Sequence, residues 1–444
     1  MGNKRSSDAA GPGPGPGGGP APGLAPRRAA LALLTAVLAE GRMLDLAAGA
    51  VLDPLEPAAR ARARALALGT LRHLGRADAA LSPHLAKAPP LRVRNILRLA
   101  AFEILHDRVP PHAAVDAAVR LAQAGRKTRH MAGLVNAVLR RVAGEGGARW
   151  QAAGPAKLPN WLRRRLVAAW GRAAVAAMEA AHEAGAPLDL TPKDPAAAAG
   201  LSGPLGAACL PTGSLRRPAG VQVSALPGFD EGAWWVQDAA AAVPARCLGD
   251  VAGRRVLDLC AAPGGKTLQL AAAGAAVTAL DISAARLARL SENLARTGLA
   301  AETAAADALD WAPAAPFEAI LLDAPCTATG TIRRHPDLPH VRREEDIAAL
   351  AALQARLIDR AVGWLAPGGV LVFCTCSLLP DEGEAQAAAA AARHAVLQPC
   401  PIDPAPLGLG PEAAAPGGAL RLRPDFWPDR GGMDGFFIAR FRRA

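Results

Sequence analysis

"LDLCAAPGGKTLQL", residues 257–270, is the stretch that decides the fold. An apolar run ends in a glycine-rich turn, and the turn opens directly into a helical pattern. In a doubly wound α/β sheet, the turn after the first strand is where a ligand is held, and its glycines let the backbone approach closely. The spacing excludes a Walker A loop, which needs four residues between its first Gly and Gly-Lys. It is not G-x-G-x-x-G either.

On both sides of this turn, apolar runs alternate with helical segments. "RRVLDLC" (254–260), "AAVTALD" (275–281), "FEAILLD" (317–323) and "GVLVFCT" (369–375) fit buried parallel strands. "GKTLQLAAAG", "SAARLARLSENLARTG" and "EEDIAALAALQARLIDRAVGWLAPGG" are the helices between them. Such alternation predicts an α/β domain over 236–444. "GFFIARFRR" closes the chain and reads as a late, edge-like strand.

Upstream the texture differs. Residues 6–25 are Gly/Pro-rich without apolar periodicity, so 1–25 reads as a disordered leader. Five segments between residues 26 and 145 carry apolar residues at 3–4 spacing, which predicts an all-α helical bundle. "PAARARARALALGTLRHLGRADAALSPHL" (57–85) reads as one helical pattern. "EGGARWQAAGPAKLPN" (145–160) reads as a linker, 160–185 as one helix, and the stretch up to 235 as a small α+β insert.

The chain has 444 residues and a net charge of +11. Residues 1–145 hold 21 Lys and Arg against 10 Asp and Glu, so the whole excess lies in the N-terminal third. A basic module on a near-neutral remainder suggests a polyanionic partner such as RNA, the plain alternative being a solvated Arg-rich face. The chain opens on a polar, then Gly/Pro-rich segment rather than a signal peptide, and no apolar run reaches transmembrane length. A cytoplasmic protein with reduced thiols is expected.

Three acids fall at the ends of the expected strands. Asp281 ends the second, where a carboxylate can accept from ribose hydroxyls. Asp307 lies in "AADALDW", before the third of these runs, and Asp323 ends "FEAILLD". With the glycine turn, they fit a nucleoside cofactor, either a dinucleotide or S-adenosylmethionine; the bland alternative is three helix-capping acids. Of the seven cysteines (209, 247, 260, 326, 374, 376, 400), Cys326 follows "FEAILLD", and Cys374 and Cys376 stand at the end of "GVLVFCT" and just after it. A metal site is disfavoured, because no His stands at ligand spacing and C-x-C with one distant Cys is a poor zinc pattern. A disulfide-exchange site needs C-x-x-C, which is absent.

"DLCAAPGGKT", "DAPCTATGTIRRHPD" and "CTCSLLPDEGE" resemble the motifs of the Sun-type RNA 5-methylcytosine methyltransferases. "PHAAVDAAV" and "GLVNAVLRR" resemble a NusB-like helical domain fused in front. Phe373 and Cys374 depart from the family, which often has Tyr and a small residue there, and "LDLTPK" (188–193) replaces a more usual strand. The resemblance implies a multidomain RNA (cytosine-5) methyltransferase that uses S-adenosyl-L-methionine on 16S rRNA, at the cytosine customarily numbered 967.

It further implies roles. Cys376 is the nucleophile that adds to C6 of the cytosine, and Cys326 assists release. Asp323 contacts the base edge, and Lys266 faces the base or cofactor. Cys260, Ala261, Ala262, Pro263, Gly264, Gly265, Lys266, Asp281, Asp307 and Asp323 surround the cofactor. The partner implied is 16S rRNA or a small-subunit assembly intermediate, with no membrane, no metal and a monomeric protein. Two other readings stand beside it. One is the same chemistry on another rRNA or tRNA cytosine. The other is an inactive NusB-like RNA-binding assembly factor.

Overall fold

The computed structural model describes residues 23–444. Residues 1–22, most of the expected leader, lie outside the described residues, while Leu24 and Ala25 already belong to the first helix. Seven helices form the N-terminal bundle: α1 (Leu24–Leu38), α2 (Leu44–Leu52), α3 (Pro57–Arg72), α4 (Leu74–Leu81), α5 (Leu91–Leu105), α6 (Pro111–Ala124) and α7 (Ala132–Ala152). Their apolar stripes close on one core that includes Leu31, Leu34, Ile96, Leu97, Val135 and Leu139.

Two expectations fail here. The pattern over 57–85 is not one helix, because His73 leaves helical geometry between α3 and α4. The expected linker at 145–160 is helical as far as Ala152. Trp150 explains the second difference: it is buried and stacks on His73 with ring centroids 5.8 Å apart. That contact carries the helix through Gly146 and Gly147, against their low propensity. A Cβ at Gly146 would come within 3.0 Å of Val142, so close packing favours glycine there.

Next, α8 (Asn160–Ala184) breaks at Gly171, where φ is 80°. The insert holds β1 (Leu188–Pro192), α9 (Ala198–Leu205), β2 (Ala208–Cys209), β3 (Leu215–Arg217) and β4 (Trp234–Val236). Its antiparallel sheet runs β2–β3–β1–β4 over Leu190, Leu205, Leu215 and Trp234.

The second sheet has nine strands. Parallel pairing joins β5 (Arg255–Leu259), β6 (Ala276–Asp281), β7 (Glu302–Ala305), β8 (Phe317–Asp323) and β9 (Leu365–Thr375) in the order β9–β8–β5–β6–β7. Between them lie α10 (Val243–Arg246, before β5), α11 (Gly265–Ala272), α12 (Ala284–Thr297), α13 (Leu338–Val341) and α14 (Asp346–Trp364). Ser283 caps α12 through its hydroxyl, and Gly298 ends it in the left-handed conformation. The chain moves from β5 to one side and returns through β8 to the other, so a crevice opens at the carboxyl ends of β5 and β8.

The sheet continues through β10 (Leu397–Pro399), β11 (Ala414–Ala415), β12 (Ala419–Leu422) and β13 (Phe436–Arg443). Strand β13 is not edge-like. It pairs antiparallel with β9 and β12, and β10 lies along its end. Phe437 and Ile438 point to opposite faces and both are fully buried, which is the signature of an interior strand.

The three parts are locked at one place. Arg333, fully buried, donates to Asp238 at 2.8 Å, to Asp434 at 3.4 Å and to the Gly431 carbonyl at 2.6 Å. Arg334 pairs with Asp434 at 2.6 Å, and Arg216 grips Asp189 of the insert with two 2.7 Å bonds. The bundle docks on the same loop, since the Leu44 amide donates to Asp337 at 2.8 Å. Among the described residues, no helix is long and apolar enough to cross a membrane.

Removing one partner of a buried ion cluster leaves uncompensated charge. Arg333→Leu is expected to destabilise the protein by roughly 3–5 kcal/mol, measured by urea unfolding. An unchanged midpoint contradicts the structural weight given to this cluster.

Candidate active site

The glycine turn is shaped by two residues in the left-handed region. Cys260 has φ 64° and Gly264 φ 105°. At Gly264 even a methyl would strike Leu290 of α12, at 2.2 Å, so the close helix packing demands glycine. Asp281, buried at the end of β6, fixes the turn from the side: one carboxylate oxygen accepts the Ala262 amide at 3.0 Å and the other the Ser283 amide at 2.9 Å. Arg286 closes the same turn by donating to the Ala262 carbonyl. Beneath it, fully buried Asp258 accepts from Thr267, and burial pushes its carboxyl up to about 7.

These contacts fix the shape of the turn at the carboxyl ends of β5 and β6. Ala261, Ala262 and Pro263 run from the end of β5 to Gly264, and Gly265 opens α11. Asp307 stands just beyond β7, where its carboxylate accepts the Leu309 amide at 2.8 Å. Cys260 is mostly buried, and desolvation with nearby carboxylates pushes its thiol up.

From the first turn of α11, Lys266 Nζ lies 2.7 Å from Asp323 Oδ2 and 5.1 Å from the centre of the Phe436 ring. Burial alone would lower the ammonium pKa, but the nearby carboxylates, Asp323 first, outweigh it and raise the value, so Lys266 stays protonated. Asp323 Oδ1 accepts a weak 3.6 Å contact from the Cys374 thiol. Cys374 is fully buried, and desolvation followed by the Asp323 charge holds its thiol well above the usual range. Its sulfur faces Asp323, so it belongs to the acid's surroundings as well as to the core.

Cys326 and Cys376 meet with their sulfurs 3.5 Å apart. The hydrogen bond to Cys376, then desolvation, holds the Cys326 thiol well above the ordinary value. Either thiol can donate across this contact. Cys376 is the more exposed of the two.

The segments bearing these thiols are stitched together by groups the motif reading did not assign. Fully buried Glu382 accepts the Thr327 amide at 2.9 Å, the Thr327 hydroxyl and the Gln354 amide group at 3.2 Å. Ser377 bridges the Thr327 and Thr329 hydroxyls at 3.2 and 3.3 Å, and Thr329 accepts the Leu378 amide at 2.9 Å. The Gly330 amide donates to the Cys376 carbonyl at 2.9 Å. This buried polar network, in which only the Gln354 Oε1 lacks a partner, holds the two segments rigidly against each other. In sequence, Glu382 sits in a Pro-Asp-Glu-Gly run that reads as a solvated turn, so no local signal marks it.

Glu382→Leu unstitches this network without touching either sulfur. We expect cofactor affinity within about twofold of wild type and turnover reduced at least tenfold, since loss of a supporting shell commonly costs this much. Wild-type turnover overturns the supporting role.

Residues 245–442 match the family model for the 16S rRNA methyltransferases RsmB/F, and residues 24–144 match the NusB family. The chain is 38% identical to ribosomal RNA small subunit methyltransferase B of Xanthomonas campestris, over 95% of this chain and 98% of that protein. Identity to the protein of the same name from Pseudomonas putida is 40%, over 80% and 86%. A solved methyltransferase homologue from Pyrococcus horikoshii shares 27% identity and a TM-score of 0.53 over 64% of this chain and 94% of its own. The solved protein PH0851, at 21% identity, shares the fold with a TM-score of 0.71 over 94% and 98%. A helical NusB-like domain, a glycine turn facing acids at the ends of parallel strands, and this similarity along nearly the whole length converge: the chain belongs to the ribosomal RNA small subunit methyltransferase B family of S-adenosylmethionine-dependent RNA methyltransferases.

Proposed function

We propose that this protein methylates C5 of one cytosine in 16S rRNA, at the position numbered 967, through a covalent adduct between Cys376 and C6 of the base. The substrate is the rRNA itself or a small-subunit assembly intermediate, and the enzyme works as a monomer. The observation that carries the reading is the pair of sulfurs 3.5 Å apart beside the Lys266–Asp323 salt bridge.

C5 of cytosine is a poor nucleophile until something adds at C6. Cys376 adds there, forming an S–C6 bond and moving electron density to C5, which splits one hard step into easier ones. The attacking form is the thiolate. Cys326, kept as a thiol, donates its S–H to that thiolate and so favours charge on Cys376 alone. Asp323, held by Lys266, faces the N3/N4 edge of the ring and balances positive charge as the ring takes up a proton. S-adenosylmethionine, bound over the glycine turn, supplies the electrophilic methyl group.

Once Cys376 is bonded to carbon it carries no charge. The thiolate that accepted the Cys326 proton is then gone, while burial still holds that thiol up. Cys326 loses its proton to solvent, takes the C5 proton, and the S–C6 bond breaks as the C5–C6 double bond reforms. Both thiols return to their starting state. Because a base within a helix is out of reach, the target cytosine enters unpaired or flipped.

Cys376→Ala is expected to lose methyl transfer while keeping cofactor affinity; turnover near wild type sinks the assignment. Cys326→Ala attacks and methylates but cannot release, so enzyme accumulates on RNA as a band stable to denaturing electrophoresis, and the double variant shows none. A stable adduct with Cys376→Ala instead reverses the two roles. Cys374→Ala still forms and resolves the adduct, because that thiol is held protonated and out of contact with solvent. Bisulfite sequencing of 16S rRNA from a strain lacking the gene tests the position: the target is deaminated and reads as T there, whereas in the complemented strain it resists conversion and reads as C.

A further inference from the structure

A second crevice of about 320 Å³ opens where the bundle, the insert and the loop after β8 meet. Arg72, Pro187, Val221, Val236 and Arg334 are among its lining residues. It has room for about one nucleotide. It is continuous with the catalytic loop, since that loop runs from Cys326 through Gly330, which is bonded to Cys376, to Arg333 and Arg334. Val236 and Val221 are among the few large apolar side chains exposed on the surface, at 51% and 36%, and they form part of its rim.

The charges of this crevice are nearly all matched. Arg333 pairs with Asp238 and Asp434, Arg334 with Asp434, and Asp189 with Arg216. Arg72 is the exception. It comes from the last turn of α3, crosses to the catalytic domain and donates one NH2 bond, at 3.0 Å, to the Arg333 carbonyl. Among the described residues it has no carboxylate partner, and its buried Nε has no hydrogen-bond acceptor. Burial without a compensating acid pushes its pKa down. Gly185 lines the guanidinium so closely that a Cβ there would lie 3.2 Å from Cζ and Nε.

A half-buried guanidinium with unsatisfied donors is costly unless an anion completes it. Phosphate oxygens match the planar guanidinium fork. We propose that Arg72 binds a phosphodiester group of the RNA strand in this crevice, beside the nucleotide whose base lies in the catalytic pocket. This rests on the RNA-methyltransferase reading above. It gives the NusB-like domain a contact at the reaction centre in addition to its diffuse positive charge.

The test uses the full chain and an RNA hairpin carrying the target cytosine unpaired. Arg72→Gln removes the charge yet can still donate to the Arg333 carbonyl, and Arg72→Lys keeps the charge. We expect Arg72→Gln to weaken binding roughly tenfold at low salt and to flatten the salt slope by about 0.7–0.9, the value of one phosphate contact. Arg72→Lys retains most of the slope. Neutral methylphosphonate placed in turn at each linkage flanking the cytosine weakens the wild type at one linkage and leaves Arg72→Gln indifferent there. An unchanged slope in Arg72→Gln, equal loss in both variants, or no single sensitive linkage in the wild type overturns the proposal. Wild-type protein that neither binds nor methylates the hairpin overturns the underlying reading instead.

Discussion

Asp323 of β8 lies opposite Cys374 of β9, and that parallel register sets everything at the reaction centre. Side chains alternate across a strand, so a slip of one residue would turn Asp323 away from Lys266 and the thiols away from the crevice. From that pairing the two chains leave the sheet together. The Ala324 amide donates to the Cys374 carbonyl at 2.9 Å, and further on the Gly330 amide donates to the Cys376 carbonyl at 2.9 Å. Cys326 and Cys376 meet because both segments leave the sheet from one fixed point. Strand β13 holds the other edge of β9, with Ile438 opposite Cys374, so the register cannot drift toward solvent.

Three cysteines crowd this end of the sheet, and their surroundings give each a different character. Cys374 is held protonated by burial and the Asp323 carboxylate. Cys326 is held protonated chiefly by its neighbour Cys376. In the proposed mechanism only the second influence changes when Cys376 bonds to carbon, so the same step alters the surroundings of Cys326 and leaves those of Cys374 as they were. The same principle acts at Arg72, whose missing counter-charge distinguishes it from the paired arginines around it.

Much of this was legible in the sequence, for definite reasons. Four of the five parallel strands are apolar runs with Asp or Cys at or next to their ends, and their helices are punctuated by Ser283, Gly298 and similar stops, so local chemistry agrees with the fold; β7, a largely exposed ETAA, carries no such run. The glycine turn carries its own conformational demand at Gly264. What escaped depended on distant partners. Strand β13 looks like an edge because β12, which covers it, is only "ALRL", too short to show a pattern. The linker helix rests on Trp150 meeting His73, seventy-odd residues away. Glu382 and Arg333 are charged residues in polar stretches, and nothing local announces that both are fully buried. The same holds for the helical bundle: its pattern was visible, but its docking onto Asp337 and Arg333 was not.

The central claim is that Cys376 alone attacks the base while Cys326 waits to become the proton acceptor. Substrate RNA carrying 5-fluorocytidine at the target offers no proton at C5, so release is blocked after attack. Proteolysis of the trapped complex followed by mass spectrometry locates the attachment. The account predicts a single nucleotide-bearing peptide modified at Cys376. Attachment at Cys326 or Cys374, or methylation without any adduct, contradicts it.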